Sequence, residues 1–192
     1  MTPERPQLPD EKAVALGEAF EQSGVPYAFG GAIALLYWGE PRGTVDIDIN
    51  IFLPANDPGR AFAAIEQLGI TLDRGRARRE LQSQDQIRLD WGGTFVDLFF
   101  AHDPLHDSCR ERAVRVDFLG HRFLVLSAED LVIFKTIFNR RKDWPDIEQV
   151  VATQGSRFDA EYARSWLRRI LGEDDSRIAR LDELVAEYGE AP

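Results

Sequence analysis

The chain has 192 residues, of which 44% are hydrophobic and 29% charged, and this composition excludes a disordered chain. The length is enough for one domain with a real core and an appended subdomain, and no apolar run is long enough to cross a membrane, so we expect no membrane partner. The net charge of −10 disfavours nonspecific nucleic-acid binding, and the single cysteine, Cys109, excludes an internal disulfide. With a polar N-terminal segment that lacks the apolar region of a secretory signal, these features favour a cytoplasmic location.

The first third of the chain predicts alternating helices and strands. Residues 10–24 predict a helix and residues 25–29 a short strand, after which Gly30 and Gly31 turn the chain into a short buried helix. Residues 45–53 alternate strictly between apolar and polar side chains, and this period of two predicts a strand.

The rest of the chain predicts two hairpins and then only helices. The arginine-rich residues 74–79 are interpreted as a solvated loop, which leaves an RNA-binding patch open. The remaining predicted elements are a helix over 57–69, hairpins over 86–100 and 113–126, and helices from Ser127, over 143–152, over 159–171 and over 175–188. We therefore expect an α/β (α+β) fold, with a mixed β-sheet core flanked by helices over 1–126 and a helical C-terminal part over 127–192.

Two aspartates interrupt the strand that is otherwise apolar. Asp46 and Asp48 are two residues apart, so both side chains leave the same face of the strand. Paired carboxylates repel each other unless a cation binds them, and Mg²⁺ prefers oxygen ligands. We predict that the pair holds Mg²⁺, with two ions clamping the attacking and leaving oxygens of a phosphoryl displacement. The alternative interpretation is the solvent-exposed polar face of an ordinary strand.

A third carboxylate, Asp97, lies in the middle of the apolar run TFVDLFF. An acid in such a run is costly to bury unless it binds something. If the two strands are neighbours, Asp97 joins Asp46 and Asp48, where it can complete the shell of the metal or accept the proton of the nucleophile. Asp90 is the weaker candidate, because it lies beside a hairpin turn, where an exposed acid costs little.

The glycine pair Gly30 and Gly31 provides a place for phosphates. A glycine turn that opens a helix exposes backbone N–H groups and the positive end of the helix dipole, and the absence of Cβ atoms lets a triphosphate approach. Arg42 and Thr44 lead into the aspartate strand. Arg42 can contact a phosphate or brace the loop, and Thr44 can hydrogen-bond locally.

The order G-G, R-x-T-x-D-x-D and then an aspartate between hydrophobic residues resembles the nucleotidyltransferase fold of the DNA polymerase β type. The motifs are similar to those of a small bacterial branch that includes AbiEii-like toxins, MenT-like toxins and antibiotic nucleotidyltransferases. The resemblance covers residues 25–151. It implies a nucleotidyltransferase core over 1–126, catalytic and metal-binding roles for Asp46, Asp48 and Asp97, and contacts with an NTP such as ATP from Gly30, Gly31, Arg42 and Thr44.

The segment LVIFKTIFNRRKDWPDIEQV is similar to a lysine- and aspartate-containing segment that follows the core in many members. On that match Lys135 reaches the triphosphate, and Asp143 and Asp146 stabilise the helical part or line the site. From the residues alone, Lys135 is a cation in an apolar helical run, and such a lysine either extends to water or meets an anion.

The function predicted from these motifs is Mg²⁺-dependent transfer of an NMP from an NTP to an acceptor hydroxyl, with release of pyrophosphate. Two alternatives stay open: a catalytically inactive nucleotide-binding or regulatory module of the same fold, and a metal-dependent phosphohydrolase, which the run HDPLHD suggests. The resemblance implies a tRNA, a protein or a small hydroxylated molecule as the acceptor. It also raises an antitoxin partner, which the sequence does not reveal.

Overall fold

The computed structural model of the chain describes residues 8–40, 43 and 46–188. These residues form two compact units, the first up to Gly31 and from Gly43 to Val125, and the second from Ala32 into the following loop and from Leu126 onward. The sequence predicted a division after residue 126 but kept all of residues 1–126 in one core. In the structure, the segment that begins at Ala32 belongs instead to the helical unit.

The first unit is built on a mixed six-stranded sheet, which confirms the predicted fold class. Its strands are β1 (Tyr27–Phe29), β2 (Ile47–Pro54), β3 (Gln86–Trp91), β4 (Thr94–Ala101), β5 (Val114–Phe118) and β6 (His121–Val125). Their order across the sheet is β3-β4-β2-β1-β6-β5. β2 runs parallel to β4 and antiparallel to β1, β1 runs parallel to β6, and β3–β4 and β5–β6 are the two predicted hairpins.

The alternating strand β2 is positioned by its isoleucines. Ile47, Ile49 and Ile51 are almost completely buried, so one face of β2 is fixed in the core. Because successive side chains point to opposite faces, the same packing turns Asp48 to the other face, where it is half-buried.

Within the described residues, four helices complete the first unit, and a fifth begins in it. The four are α1 (Pro9–Gln22), α3 (Gly59–Gln67), α4 (Arg74–Gln84) and α5 (Leu105–Arg112). The fifth is α2 (Gly31–Trp38), of which only Gly31 belongs to the first unit. The prediction of a solvated loop over residues 74–79 is wrong, because these residues form the first half of α4. The Asp73 carboxylate caps α4 by accepting from the Arg76 N–H, and Ala77 and Leu81 are its buried residues.

The second unit is helical, as predicted for this part of the chain. Its helices after Leu126 are α6 (Ala128–Phe138), α7 (Asp143–Gln154), α8 (Ala160–Leu171) and α9 (Ser176–Tyr188), with a 3-10 turn at Gly155–Arg157. The Ser127 side chain caps α6 by accepting from the Asp130 N–H, as the sequence predicts. None of the helices in the described residues is long and apolar enough to cross a membrane.

Candidate active site

The two aspartate-bearing strands are direct neighbours in the first unit. β2 pairs with β4 in a parallel register that sets Asp48 opposite Asp97. Paired residues on adjacent strands leave the same face of the sheet, so the two carboxylates project from one face. Asp46, just before β2, and Asp48 are both half-buried, and the Asp97 side chain is 14% exposed. The condition that the sequence set for Asp97, a neighbouring strand, is therefore met.

The glycine pair lies against Asp48. The Gly30 N–H donates to the Asp48 backbone carbonyl at 2.9 Å, which continues the β1–β2 ladder by one residue. Gly31 is the first residue of α2 and has a φ of 50°, in the left-handed region. A Cβ atom at Gly31 would overlap the carboxylate of Asp48. The chain thus needs glycine at position 31 for two independent reasons, its backbone conformation and the close approach of Asp48.

Arg88, which the sequence interpretation overlooked, lies next to Asp97 in the sheet. In the β3–β4 hairpin Arg88 pairs with Asp97, and its guanidinium donates from Nε to Oδ1 at 2.7 Å and from Nη2 to Oδ2 at 2.6 Å. The signal for this contact was present, because the two-residue turn at Gly92 and Gly93 sets Trp91 opposite Thr94 and, three pairs further, Arg88 opposite Asp97. We call Asp46, Asp48, Asp97 and Arg88 the sheet cluster.

Arg88 responds to all three aspartates. Its hydrogen bonds to Asp97 raise the pKa of Arg88 against the opposing effect of burial, and the charges of Asp97, Asp46 and Asp48 raise the pKa of Arg88 further. The Arg88 side chain is 57% exposed, and its guanidinium also lies 5.1 Å from the centre of the Phe95 ring. The sheet cluster is therefore one electrostatic group open to solvent on its Arg88 side.

The sheet cluster fits a divalent cation in its chemistry. Carboxylate oxygens are the donors that Mg²⁺ prefers, and the absence of a side chain at Gly31 lets the Asp48 carboxylate lie directly against the backbone at the start of α2. In the present arrangement, however, the described residues contain no group of three histidine, cysteine or acidic side chains close enough to hold a metal ion.

Asp90, the competing carboxylate, has a local structural partner. Its Oδ1 accepts from the Gly93 N–H at 2.8 Å within the hairpin turn. This is a common turn interaction of aspartate and needs no ligand.

Lys135 lies in the second unit, where it meets two carboxylates. Its side chain is 4% exposed, and Nζ lies 2.5 Å from Asp146 Oδ2 and 3.7 Å from Asp143 Oδ1. Asp143 also accepts from the backbone N–H and the guanidinium of Arg140. We call Lys135, Arg140, Asp143 and Asp146 the helix cluster. Of the two possibilities open from the sequence, Lys135 meets an anion supplied by its own unit, and its contact with a triphosphate stays a prediction.

Arg42 and Thr44 lie outside the described residues, so their predicted contacts with the nucleotide stay predictions. The two histidines of HDPLHD lie close together, with the rings of His102 and His106 4.7 Å apart. Burial lowers the pKa of His106, and the His102 charge lowers it further, so His106 is favoured in its neutral form. In the described part of the chain these histidines are not members of a metal-binding group.

The fold is similar to that of solved nucleotidyltransferases. The solution structure of the antibiotic-resistance factor ANT(2'')-Ia matches with a TM-score of 0.59 and 16% identity, over 93% of this chain and 99% of that chain. The crystal structure of ANT(2'')-Ia with adenylyl-2''-tobramycin matches with a TM-score of 0.60 and 14% identity, over 83% and 97% of the two chains. The lincomycin-bound lincosamide antibiotic adenylyltransferase LnuA matches with a TM-score of 0.53 and 15% identity, over 76% and 98%.

These similarities establish the nucleotidyltransferase fold and confirm the fold that the sequence motifs implied. No family model matches the chain, and a comparison with curated protein sequences finds no significant match. The AbiEii-like and MenT-like branch therefore stays a prediction.

Proposed function

We propose that the protein is a nucleotidyltransferase that moves an NMP from an NTP to an acceptor hydroxyl. One observation carries this proposal. Asp48 lies between two neighbours in the sheet unit, with Asp97 opposite it on β4 and the glycine pair Gly30 and Gly31 against its other side. A triphosphate site at a helix N-terminus and paired carboxylates for a cation are the two requirements of this reaction. The nucleotidyltransferase fold supports the proposal independently.

In the proposed reaction the acceptor oxygen forms a bond with the α-phosphorus of the NTP. The bond between that phosphorus and the bridging oxygen of the β-phosphate breaks, and pyrophosphate leaves with the electron pair. Gly30 and Gly31 form the turn beside which the triphosphate binds. The Gly30 N–H already donates to the Asp48 carbonyl, so Gly31 supplies the backbone N–H, with Arg42, Thr44 and Lys135 as further predicted contacts. Asp97 takes the proton of the acceptor hydroxyl on a carboxylate oxygen. Positioning and neutralisation of charge supply most of the catalysis in transfers of this kind.

Asp46, Asp48 and Asp97 would hold the divalent cation, which we propose to be Mg²⁺ with two ions in the loaded enzyme. When bound, the cation neutralises charge that develops on the phosphates. Among the structural neighbours, LnuA is an adenylyltransferase and ANT(2'')-Ia has been crystallised with adenylyl-2''-tobramycin, so ATP is the first donor to test.

The proposal is tested by label transfer. The full chain is incubated with Mg²⁺ and each NTP labelled at the α-phosphate, in the presence of aminoglycosides, lincosamides, total RNA or total protein. We expect label in one acceptor class and its loss in Asp46→Asn. The matched control is Asp57→Asn, which changes an exposed aspartate that follows β2 and should keep the activity. Mass spectrometry of the labelled acceptor then identifies both the nucleotide and the target.

One observation favours an inactive nucleotide-binding module as the second candidate. Arg88 occupies both oxygens of Asp97, the residue to which the proposed reaction assigns the proton. The same assay separates the candidates: nucleotide binding without transfer to any acceptor favours the inactive module. Release of phosphate from a γ-labelled NTP without transfer would favour the phosphohydrolase.

The cellular role follows only from the resemblance and stays a proposal. A cytoplasmic location is supported by the single cysteine, which leaves no internal disulfide to form. A toxin of the AbiEii or MenT kind would arrest growth on expression, and an antitoxin partner would relieve the arrest. Growth arrest by the natural chain but not by Asp48→Asn would support that role, and normal growth with both would contradict it.

A further inference from the structure

The contact between Arg88 and Asp97 is a bidentate salt bridge. Two guanidinium N–H groups donate to the two carboxylate oxygens, at 2.7 and 2.6 Å. Bidentate pairs of this kind are among the stronger charged contacts in proteins, and they fix the direction of the carboxylate. The guanidinium uses the two lone pairs of Asp97 that face it, and its positive charge repels a second cation on the same carboxylate, so Arg88 and a metal ion oppose each other at Asp97.

We propose that Arg88 is a positioning residue for the cation site, which holds Asp97 as its counter-ion until a divalent cation displaces the guanidinium. This inference rests on the proposed function, because it takes Asp97 to be a ligand of the cation. Arg88 therefore opposes the binding of the metal at the site that it helps to hold in place.

Three features of the structure make Arg88 displaceable. β3 is the edge strand of the sheet, and the Arg88 side chain is 57% exposed, so its guanidinium can move into water. The Phe95 ring, two residues before Asp97, is 40% exposed and already contacts the Arg88 guanidinium. A guanidinium displaced from Asp97 could therefore stay packed on this ring. A divalent ion also interacts more strongly with three neighbouring carboxylates than a single guanidinium charge does.

The contact between Arg88 and Asp97 also has a role when no cation is bound. Asp46, Asp48 and Asp97 repel one another when no cation is present, and the positive charge of Arg88 lowers that repulsion. An arginine on the edge strand thus keeps Asp97 aimed along the sheet face, ready for the cation. A permanent structural bridge, the competing interpretation, would oppose the metal only through the charge of Arg88, so Arg88→Lys, which keeps that charge, would leave metal affinity unchanged.

The test measures metal binding directly, without nucleotide or acceptor. The full chain is titrated with Mn²⁺, and the free ion is followed by its electron paramagnetic resonance signal. Arg88→Met keeps the aliphatic stem and removes the charge, and we expect it to bind Mn²⁺ about tenfold more tightly than the natural chain. Arg88→Lys should fall in between, because one ammonium cannot hold both oxygens. Asp97→Asn in the Arg88→Met background should abolish the gain.

The matched control is Arg76→Met. Arg76 is also an exposed arginine paired with a carboxylate, since its Nε donates to Glu80 Oε1 within α4, and its loss should leave Mn²⁺ affinity unchanged. Thermal unfolding of each variant identifies any that fails to fold, and in that case Arg88→Lys still reports the sign of the effect.

The outcomes separate this inference from the proposed function. If the natural chain binds Mn²⁺ and Arg88→Met binds it equally or more weakly, the displacement by metal is wrong while the proposed function stands. If neither the natural chain nor Arg88→Met binds Mn²⁺, the metal site of the proposed function is itself wrong, and this inference is wrong too.

Discussion

The sheet cluster and the helix cluster are both groups of four charged side chains, but they differ in balance and in exposure. The sheet cluster has three carboxylates and one guanidinium, a formal sum of −2, and its Arg88 is 57% exposed. The helix cluster has two carboxylates and two cations, a formal sum of zero, and Lys135 and Asp143 are almost completely buried. A buried group must be neutral as a whole to be tolerated, whereas an open group can stay negative and recruit a cation from solution.

This difference in charge balance and exposure indicates different roles for the sheet cluster and the helix cluster. In the helix cluster the chain itself supplies the counter-charges, as expected of a structural contact. In the sheet cluster, three neighbouring carboxylates on a partly exposed face suit a site that is completed by a ligand. The predictions below test this difference, beginning with the largest expected effect.

Asp48→Asn should abolish nucleotidyl transfer while leaving the fold intact. We expect a loss of about a thousandfold or more, because an amide neither carries the charge nor binds a divalent cation comparably. Stability to urea should change little, since Asp48 is only half-buried and the substitution keeps the shape of its side chain. The measurement is the initial rate of label transfer together with the unfolding midpoint. A variant that lost stability but kept its specific activity would contradict the division of roles.

Lys135→Met should act on stability instead. Removal of the ammonium leaves Asp143 and Asp146 buried without one of their counter-charges, and breaking a buried pair in this way costs about 3–5 kcal/mol. The measurement is the free energy of unfolding from urea titration. Lys142→Met, which changes an exposed lysine before α7, is the control and should stay within about 0.5 kcal/mol of the natural chain.

The opposite result for Lys135 would be equally informative. If Lys135→Met keeps its stability but loses transfer and affinity for the NTP, then Lys135 contacts the triphosphate as the resemblance implies. The helix cluster would then be part of the active site, and the contrast with the sheet cluster would be wrong.

Gly31→Ala should impair the sheet cluster by displacing Asp48. A methyl group at this position overlaps the carboxylate, and the φ of 50° is unfavourable for alanine. We expect transfer to fall about tenfold to a hundredfold, as for other misplacements of catalytic groups. Gly24→Ala is the control, because Gly24 has a similar φ of 61° but nothing within 4 Å of the added Cβ. The control carries the backbone strain alone, so equal activity of the two variants would contradict a role for the close approach.

Much of the sheet unit could be predicted because its signals are local. The alternation of β2 and the turn at Gly92 and Gly93 fix strands whose faces follow from a period of two. The pairing of β2 with β4, which brings Asp48 beside Asp97, was only a condition in the sequence analysis. It joins residues that are far apart in the chain, and no local pattern determines such a pairing.

The features that were missed depend on packing or on partners. Helix α4 buries only Ala77 and Leu81, too few apolar positions to outweigh the arginines around them in the sequence pattern. The pairing of Arg88 with Asp97 required the hairpin register to be worked out residue by residue. The segment from Ala32 joins the helical unit through contacts such as the one from Trp38 Nε1 to the Leu126 carbonyl, 2.7 Å long, which no local signal reveals.

The smallest expected effect concerns Arg140, the exposed member of the helix cluster, and the pH dependence of the stability that its pair with Asp143 provides. Burial works to raise the pKa of Asp143, but hydrogen bonds from Arg140 and the charges of Arg140 and Lys135 outweigh burial and lower it. A carboxyl whose pKa is lower in the folded state adds stability above its unfolded pKa, and that stability is lost as the pH falls through the folded pKa. Because the Arg140 side chain is 52% exposed, solvent screens the pair, and Arg140→Gln should cost about 0.5–1 kcal/mol at pH 7.

The same substitution predicts a characteristic pH profile. The stability difference between Arg140→Gln and the natural chain should be constant at neutral pH and shrink below about pH 4, where Asp143 becomes protonated in the unfolded and then the folded chain. Urea titrations at several pH values measure this difference. Arg141→Gln, which changes the neighbouring exposed arginine, is the control and should show no such loss in acid. A difference that persisted undiminished at low pH would mean that Arg140 stabilises the chain through packing on Phe138, 5.1 Å from its guanidinium, and not through the charge of Asp143.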